Sequence, residues 1–250
     1  MVPISGIIIA KNEADRIVSC IKSLQSICAE ILVIDSYSTD ETVKVSEEAG
    51  AKVIQHQFEG FGAQKQFAVS QASNNWVLVI DADEVLSNDL QSEIQERFKN
   101  NPSVSGFYLP RTFVFLGKQM RGGGEEKKKY LRLFNKQKGN FNHKPVHEDV
   151  EMEGEAIWLR GSLLHYSYRD LHHYFEKFNQ YTTLAAKELA KQGKRKSGLY
   201  LYFRFGISFW QYYLIKGFVK DGFPGFVWSI CSAFYPIVKY AKARAIIEKK

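Results

Sequence analysis

Cysteine is scarce. Cys20, Cys28 and Cys231 are the three among 250 residues, an odd number with no C-x-x-C pair. That excludes a disulfide framework and a thiolate zinc site, and it points to reduced thiols in a reducing compartment. A secretory signal is not expected either. Met1 to Ala10 are apolar but run straight into Lys11-Asn12-Glu13, with neither a basic start nor a cleavage site, and they read as a first buried strand. No glycine stands in Ala10-Lys11-Asn12-Glu13, so the Gly-rich turn that a dinucleotide oxidoreductase needs after its first strand is missing. No spanning helix is expected in the C-terminal region, because Arg204, Lys216, Lys220 and Asp221 interrupt every stretch approaching the roughly 20 apolar residues that a bilayer requires. No internal repeat is visible.

Apolar residues make up 45% of the chain, enough for a substantial core. The net charge of +7 is unevenly shared. Residues 1–185 carry 21 basic and 24 acidic side chains, a net of −3, and residues 186–250 carry 13 and 3, a net of +10. Basic character therefore belongs to the C-terminal quarter, where 15 of the 41 residues from Tyr200 to Tyr240 are aromatic. A basic, aromatic helical region suits the interface of an anionic membrane, and a packing or dimer surface is the plainer alternative. An RNA-binding role fits less well, because the aromatics lie in helical segments with few polar groups to read bases.

The first hundred residues alternate buried strands with helices. Strands are expected at Ile4–Ala10, Ile31–Ile34, Ala51–His56 and Trp76–Ile80, with helices at Glu13–Leu24, Ser38–Gly50, Phe61–Ala72 and from Ser87 to about Phe98. This β-α-β-α-β-α-β order predicts an α/β fold with a mostly parallel, helix-covered sheet, which binds ligands at the carboxyl ends of its strands. Val104–Phe115, Tyr130–Phe134 and Ile157–Tyr166 read as further strands, Gly117–Lys129 as a mobile loop, and everything from Asp170 as helical. The expected division is a catalytic domain over residues 1–168 and a helical region over 169–250.

Polar residues gather at the strand ends. Asp81-Ala82-Asp83 follows the apolar run Trp76–Ile80, and two carboxylates spaced this way suit Mg²⁺ or Mn²⁺ together with phosphate oxygens. Such a metal stabilises a diphosphate leaving group. The plainer reading is that both aspartates cap the next turn. Asp35 ends the neighbouring strand, able to accept from a base or ribose, or to form an Asx turn before Ser38. Asn12 and Glu13 end the first strand, where a helix cap is the alternative. Lys65 on the third helix lies near an expected diphosphate, or is a solvated lysine.

Ile8–Glu13, Asp35–Thr42 and Val79–Glu84, in this order and spacing, resemble the family 2 inverting glycosyltransferases of the GT-A fold over roughly residues 3–166. A closer likeness is to the lipopolysaccharide core-biosynthesis branch, the WaaE/KdtX-type β-glucosyltransferases. It extends through Lys144-Pro145-Val146-His147-Glu148, through Leu163–Ser167 and through Asp221-Gly222-x-x-Gly225. The resemblance implies a UDP-sugar donor, with glucose the expected sugar, and a lipid-linked or core-oligosaccharide acceptor. It places Ala10, Asn12, Glu13 and Asp35 around the nucleoside and Asp81 at the ribose or metal. Asp83 becomes the direct metal ligand and Glu148 the general base, with Asp149 its rival. His147 could take the proton too, or orient a neighbour, and His165 completes the metal shell or is structural. A carboxylate base is required because inversion is a single displacement in which the acceptor hydroxyl loses its proton. The Arg121–Lys129 segment departs from the pattern in lacking an aromatic residue to pack on an acceptor, and reads as a lid over the donor. The expected setting is peripheral, on the cytoplasmic face of the inner membrane, without nucleic acid and with homo-oligomerisation left open. The alternative is a non-catalytic or differently catalytic nucleotide-binding protein, such as a sugar-phosphate nucleotidyltransferase, although the Gly-rich basic loop of that class is also absent.

Overall fold

In a computed structural model, residues 2–142 and 148–248 are described. The chain forms two compact units, one of Met1–Thr112 with Glu126–His165, the other of Phe113–Glu125 with Tyr166–Lys250.

The first unit begins with the alternating elements β1 (Val2–Ala10), α1 (Ile17–Leu24), β2 (Cys28–Asp35), α2 (Thr42–Glu48), β3 (Lys52–Gln55), α3 (Phe61–Gln71) and β4 (Trp76–Asp81). It continues through β5 (Glu84–Leu86), α4 (Asn88–Arg97) and β6 (Gly106–Tyr108) to β7 (Arg111–Phe115), where the chain passes into the second unit and its short β8 (Lys118–Gln119). On its return it adds β9 (Leu131–Asn135), β10 (Gly139–Phe141), β11 (Val150–Met152), β12 (Ala156–Trp158) and β13 (Leu163–His165).

A seven-stranded sheet runs in the order β12-β6-β9-β4-β1-β2-β3. β1 is parallel to β2 and β4, and β2 to β3, while β9 runs antiparallel between β4 and β6. Successive strand residues face opposite ways and both faces are covered, which explains the unbroken apolar runs. Ile4, Ile8, Leu78 and Ile80 join one core with Ile21, Leu90 and Ile94 from α1 and α4. Ile7, Leu32, Val77 and Val79 join another with Ala68 and Val69 of α3. The register sets the site: Ala10 pairs with Asp35, and Ile9 with Asp81. The strand ends thus form one edge.

Several expected boundaries move. The Val104–Phe115 run is two strands, β6 and β7, separated at Leu109-Pro110, since proline has no N–H to give a ladder. Ile157–Tyr166 also divides, into β12 and β13. Helix α2 starts at Thr42 rather than Ser38, because the Ser38 hydroxyl is already engaged, donating to Asp35 Oδ1 and accepting from Asn12 N at 2.9 Å. Ser87 does cap α4, accepting from Leu90 N at 3.2 Å. All three cysteines are free and buried.

Gly161 lies where the β12–β13 connection crosses the start of α4. Its N–H and that of Arg160 donate to Glu93 Oε2 at 3.0 and 2.7 Å, and a Cβ there would stand 2.3 Å from Leu90 Cα. Backbone cannot yield as a side chain does. Gly161→Ala is therefore expected to cost about 1–3 kcal/mol, read as a lowered midpoint in chemical denaturation; an unchanged midpoint would show that the crossing is loose.

The second unit is helical, with α5 (Leu171–Lys191), α6 (Gly198–Trp210) and α7 (Gly222–Glu248), and α6 runs on through a π-helical turn, Gln211–Ile215. Phe115, Met120, Tyr174, Phe178, Phe218 and Cys231 form its core. The segment expected to be a mobile loop is fastened here at its start. Asp221, fully buried, accepts from Arg121 N and Gly122 N at 2.9 Å each, and Gly123 N donates to Lys216 O at 2.9 Å. Phe218 packs so closely that a Cβ on Gly122 would lie 2.5 Å from its ring. Gly225 is equally constrained, its absent Cβ falling 1.9 Å from Phe218 O. The Asp221–Gly225 element and the Gly122–Gly123 pair are thus two halves of one packing device.

Candidate active site

At the sheet edge of the first unit lies a cleft of about 470 Å³ lined by Ala10, Glu13, Asp81, Asp83 and His165, with Ser36, Phe58, Phe61, Gln64 and Arg111. A second lobe, about 660 Å³, shares Phe61, Asp81 and Arg111 and adds Lys65, Tyr108, Lys128, Lys129, Tyr130, Arg132, Glu148 and Asp149. Sizes of several hundred Å³ are those of small-molecule sites. Sequence positions 10 to 165 converge here because parallel strands end on one edge, and because β13 pairs antiparallel with β5, setting His165 opposite Glu84.

Asp81 joins the lobes. Its Oδ2 accepts from Arg132 Nη2 at 3.2 Å, its Oδ1 faces Lys65 Nζ at 3.2 Å, and its N–H donates to Glu84 Oε2 at 2.9 Å. Oδ1 is buried and, although an ion pair with Lys65, has no donor aligned to hydrogen-bond it. Burial opposes the charge of Asp81, but Lys65 and Arg132 outweigh it and hold the carboxyl well below the usual carboxylate range. For Arg132 burial again opposes charge, and Glu84, Asp81 and Glu148 keep the guanidinium firmly protonated.

Lys65 is not a solvated lysine. Its side chain is 2% exposed and its Nζ donates to Glu148 Oε1 at 2.6 Å, 5.6 Å above the Phe141 ring. It therefore ties Glu148 to Asp81. Asp149, by contrast, is exposed, and its backbone pairs with Asn142. His147, with the rest of 143–147, falls outside the described residues.

Asp83 Oδ2 lies 3.4 Å from His165 Nε2 and 3.8 Å from Arg16 Nη1. Arg16 Nε also donates to Glu13 Oε2 at 2.8 Å, so one guanidinium bridges Glu13 and Asp83. Beneath them, burial and the nearby Glu84, Asp83 and Asp81 raise the Cys20 thiol well above its ordinary value, so it is no nucleophile. Among the described residues no three histidine, cysteine, aspartate or glutamate groups stand preassembled around a metal position.

Two expected residues line neither lobe. Asp35, fully buried, accepts from Ser38 N at 2.9 Å in the Asx turn and from Gln55 Nε2 at 3.4 Å. Asn12, at φ 56°, accepts at Oδ1 from Thr39 N at 2.8 Å. Both brace the loop after β2 behind Ser36 and Glu13.

Sequence reading missed Arg16, Glu84, Arg111 and Arg132. Arg111 donates from Nη2 to Tyr130 OH at 2.7 Å and sits 4.1 Å above that ring, while its Nη1 is 3.4 Å from the fully buried Glu84. The one signal for Arg132 was a charge set inside the apolar strand Leu-Arg-Leu-Phe. The exposed Phe58 and Phe61, edge to face at 5.1 Å in the first lobe, were missed as well.

The chain matches the model of "Glycosyl transferase family 2" over residues 5–148. It is 36% identical over 257 residues to an uncharacterised glycosyltransferase of Rickettsia typhi, covering 98% of this chain and 88% of that one. It is 32% identical to the lipopolysaccharide core biosynthesis glycosyltransferase LpsC of Rhizobium meliloti, covering 96% and 91%. Among solved structures, glucosyl-3-phosphoglycerate synthase from Mycobacterium tuberculosis aligns over 44% of each chain at 23% identity, with a TM-score of 0.37.

Proposed function

The chain belongs to glycosyl transferase family 2 and is a glycosyltransferase, and from that premise we propose that it is a metal-dependent inverting enzyme. In this reading it moves a sugar, expected to be glucose, from a UDP donor to a cell-envelope glycan of the lipopolysaccharide core class. Likeness to LpsC over nearly the whole of both chains supports that acceptor class. The observation that carries the reading is the junction at Asp81. A cleft with an acidic floor meets a lobe holding Glu148, and Lys65 bonds across the junction.

Each lobe then has its task. In the first, Phe58 and Phe61 offer an apolar wall for the nucleobase, with Ala10, Glu13 and Ser36 near the ribose. Asp83 Oδ2 and His165 Nε2 would hold the divalent cation, and Asp81, which lines the same cleft, offers a further carboxylate. This oxygen-rich set fits Mg²⁺ or Mn²⁺, and the diphosphate and water would complete it. When bound, the ion supplies positive charge that stabilises the departing nucleoside diphosphate. In the second lobe Glu148 takes the proton of the acceptor hydroxyl as that oxygen attacks the anomeric carbon. Glu148 is favoured over the exposed Asp149 because Lys65 fixes its position. The enzyme works peripherally, on the cytoplasmic face of the inner membrane.

A thermal-shift panel of nucleoside diphosphates and their sugars, with and without Mn²⁺, tests this. UDP-sugar near a hundredfold over its Kd should stabilise the fold by about 2.7 kcal/mol through mass action. Asp83→Asn should keep the ligand-free midpoint and lose the metal-dependent part of the shift. No response to any nucleotide would remove the donor assignment, and pyrophosphate as product in place of free nucleoside diphosphate would favour nucleotidyl transfer.

A further inference from the structure

The second unit presents an exposed apolar stripe along one of its helices. Leu199, Tyr202, Phe203, Ile207, Trp210 and Leu214 recur at helical spacing along α6 and its π-helical extension, and all are exposed, Tyr202 by 75%. Ile215, 83% exposed, and Phe223, 71% exposed, continue the apolar surface. Stray exposed leucines are ordinary, but a contiguous stripe this rich in rings marks an interaction surface.

Charge decides among occupants. Lys194-Arg195-Lys196 precedes α6, Arg204 lies within it and Lys216 and Lys220 follow, all exposed. Lys196 Nζ stands 4.8 Å from the Tyr200 ring and Lys216 Nζ 4.2 Å from the Tyr212 ring, so both ammonium groups lie against aromatic rings of this region. A second copy of this chain would set two regions of net +10 against each other. No helix of the described residues is long and apolar enough to cross a membrane.

We propose that this face is a docking surface for an anionic phospholipid bilayer. Tyr202, Phe203, Ile207, Trp210 and Ile215 enter the headgroup boundary, and the lysines and arginines engage lipid phosphates. Aromatic rings favour that boundary, and basic residues beside it gain from the negative surface potential. The inference deepens the peripheral setting given above by naming the residues and the lipid chemistry.

The test is co-sedimentation of the full chain with phosphatidylcholine vesicles, or with the same vesicles containing phosphatidylglycerol. Binding should favour the anionic vesicles by about tenfold or more and weaken at high salt. Ile207→Ser with Trp210→Ser and Ile215→Ser, all more than half exposed, should lower anionic-vesicle binding by about tenfold or more while the unit stays folded by circular dichroism. Arg204→Gln with Lys216→Gln and Lys220→Gln should abolish the preference for anionic lipid. Indifference of the wild type to lipid charge, or a serine variant that binds as well as wild type, overturns the proposal. So does a wild-type dimer in sedimentation that the serine variant loses, because the face would then join two copies. Nucleotide thermal shifts on the same preparations report on the sugar-transfer reading independently, so the two fail separately.

Discussion

Lys65→Met should lower the unfolding free energy at neutral pH by about 3–5 kcal/mol, the usual cost of removing one member of a buried ion pair. Methionine keeps most of the aliphatic stem and its packing beside Phe141, so the loss is chiefly that of charge. Glu148 Oε1, now 2.6 Å from Nζ, and Asp81 Oδ1, now 3.2 Å from it, would both lose their cation. Arg132 still faces Asp81 at 3.2 Å and moderates the effect. The pH dependence separates this cause from lost packing. In wild type the Asp81 carboxyl is depressed, so its contribution is complete above the unfolded value near 3.9 and is lost as pH falls towards the lower folded value. In the variant Asp81 has lost the Lys65 charge that helps hold its carboxyl down, so it takes up a proton more readily, the deficit should shrink on acidification and the two stability curves should converge. Denaturant titrations at several pH values measure both; a deficit below about 1 kcal/mol, or one constant with pH, would mean that the pair contributes little.

Glu148→Gln should lower kcat for sugar transfer by about 10²–10⁴-fold, the range for loss of a positioned general base. It should leave the nucleotide thermal shift unchanged, since the donor cleft is lined without it. Glutamine retains the shape and accepts from Lys65 through its carbonyl, so folding should suffer less than in Lys65→Met. Asp149→Asn, at an exposed position, should stay within a few-fold of wild type. The reverse order of effects would move the base to Asp149 and leave Glu148 as an anchor for Lys65.

The parallel half of the sheet was legible because buried strands are written as continuous β-branched runs and their helices as periodic ones. The strand-end position of Asp81 followed from that order alone. What stayed illegible was the company each charge keeps. Arg132 is a lone charge in the apolar run Leu131–Phe134, yet β9 is clamped between β4 and β6 and that charge pairs with Asp81 and Glu84. Glu84 reads as one more acid in Asp-Ala-Asp-Glu, yet it is fully buried, bonded to Asp81 N and beside two arginines. Asp35 shows the converse: its neighbours in sequence, through Ser38, supply the turn that takes up much of its carboxylate.

By itself, then, the sequence determined what local chemistry determines: the alternation of strands and helices, the Ser87 cap and the acidic strand end at Asp81. Tertiary structure decided which distant charges meet. Lys65 and Glu148 are 83 positions apart, and Asp83 and His165 share a site because β13 returns beside β5. The reason is that burying a charge is tolerable only opposite its counter-charge, and the identity of that counter-charge depends on how the sheet is ordered, which spacing along the chain does not encode.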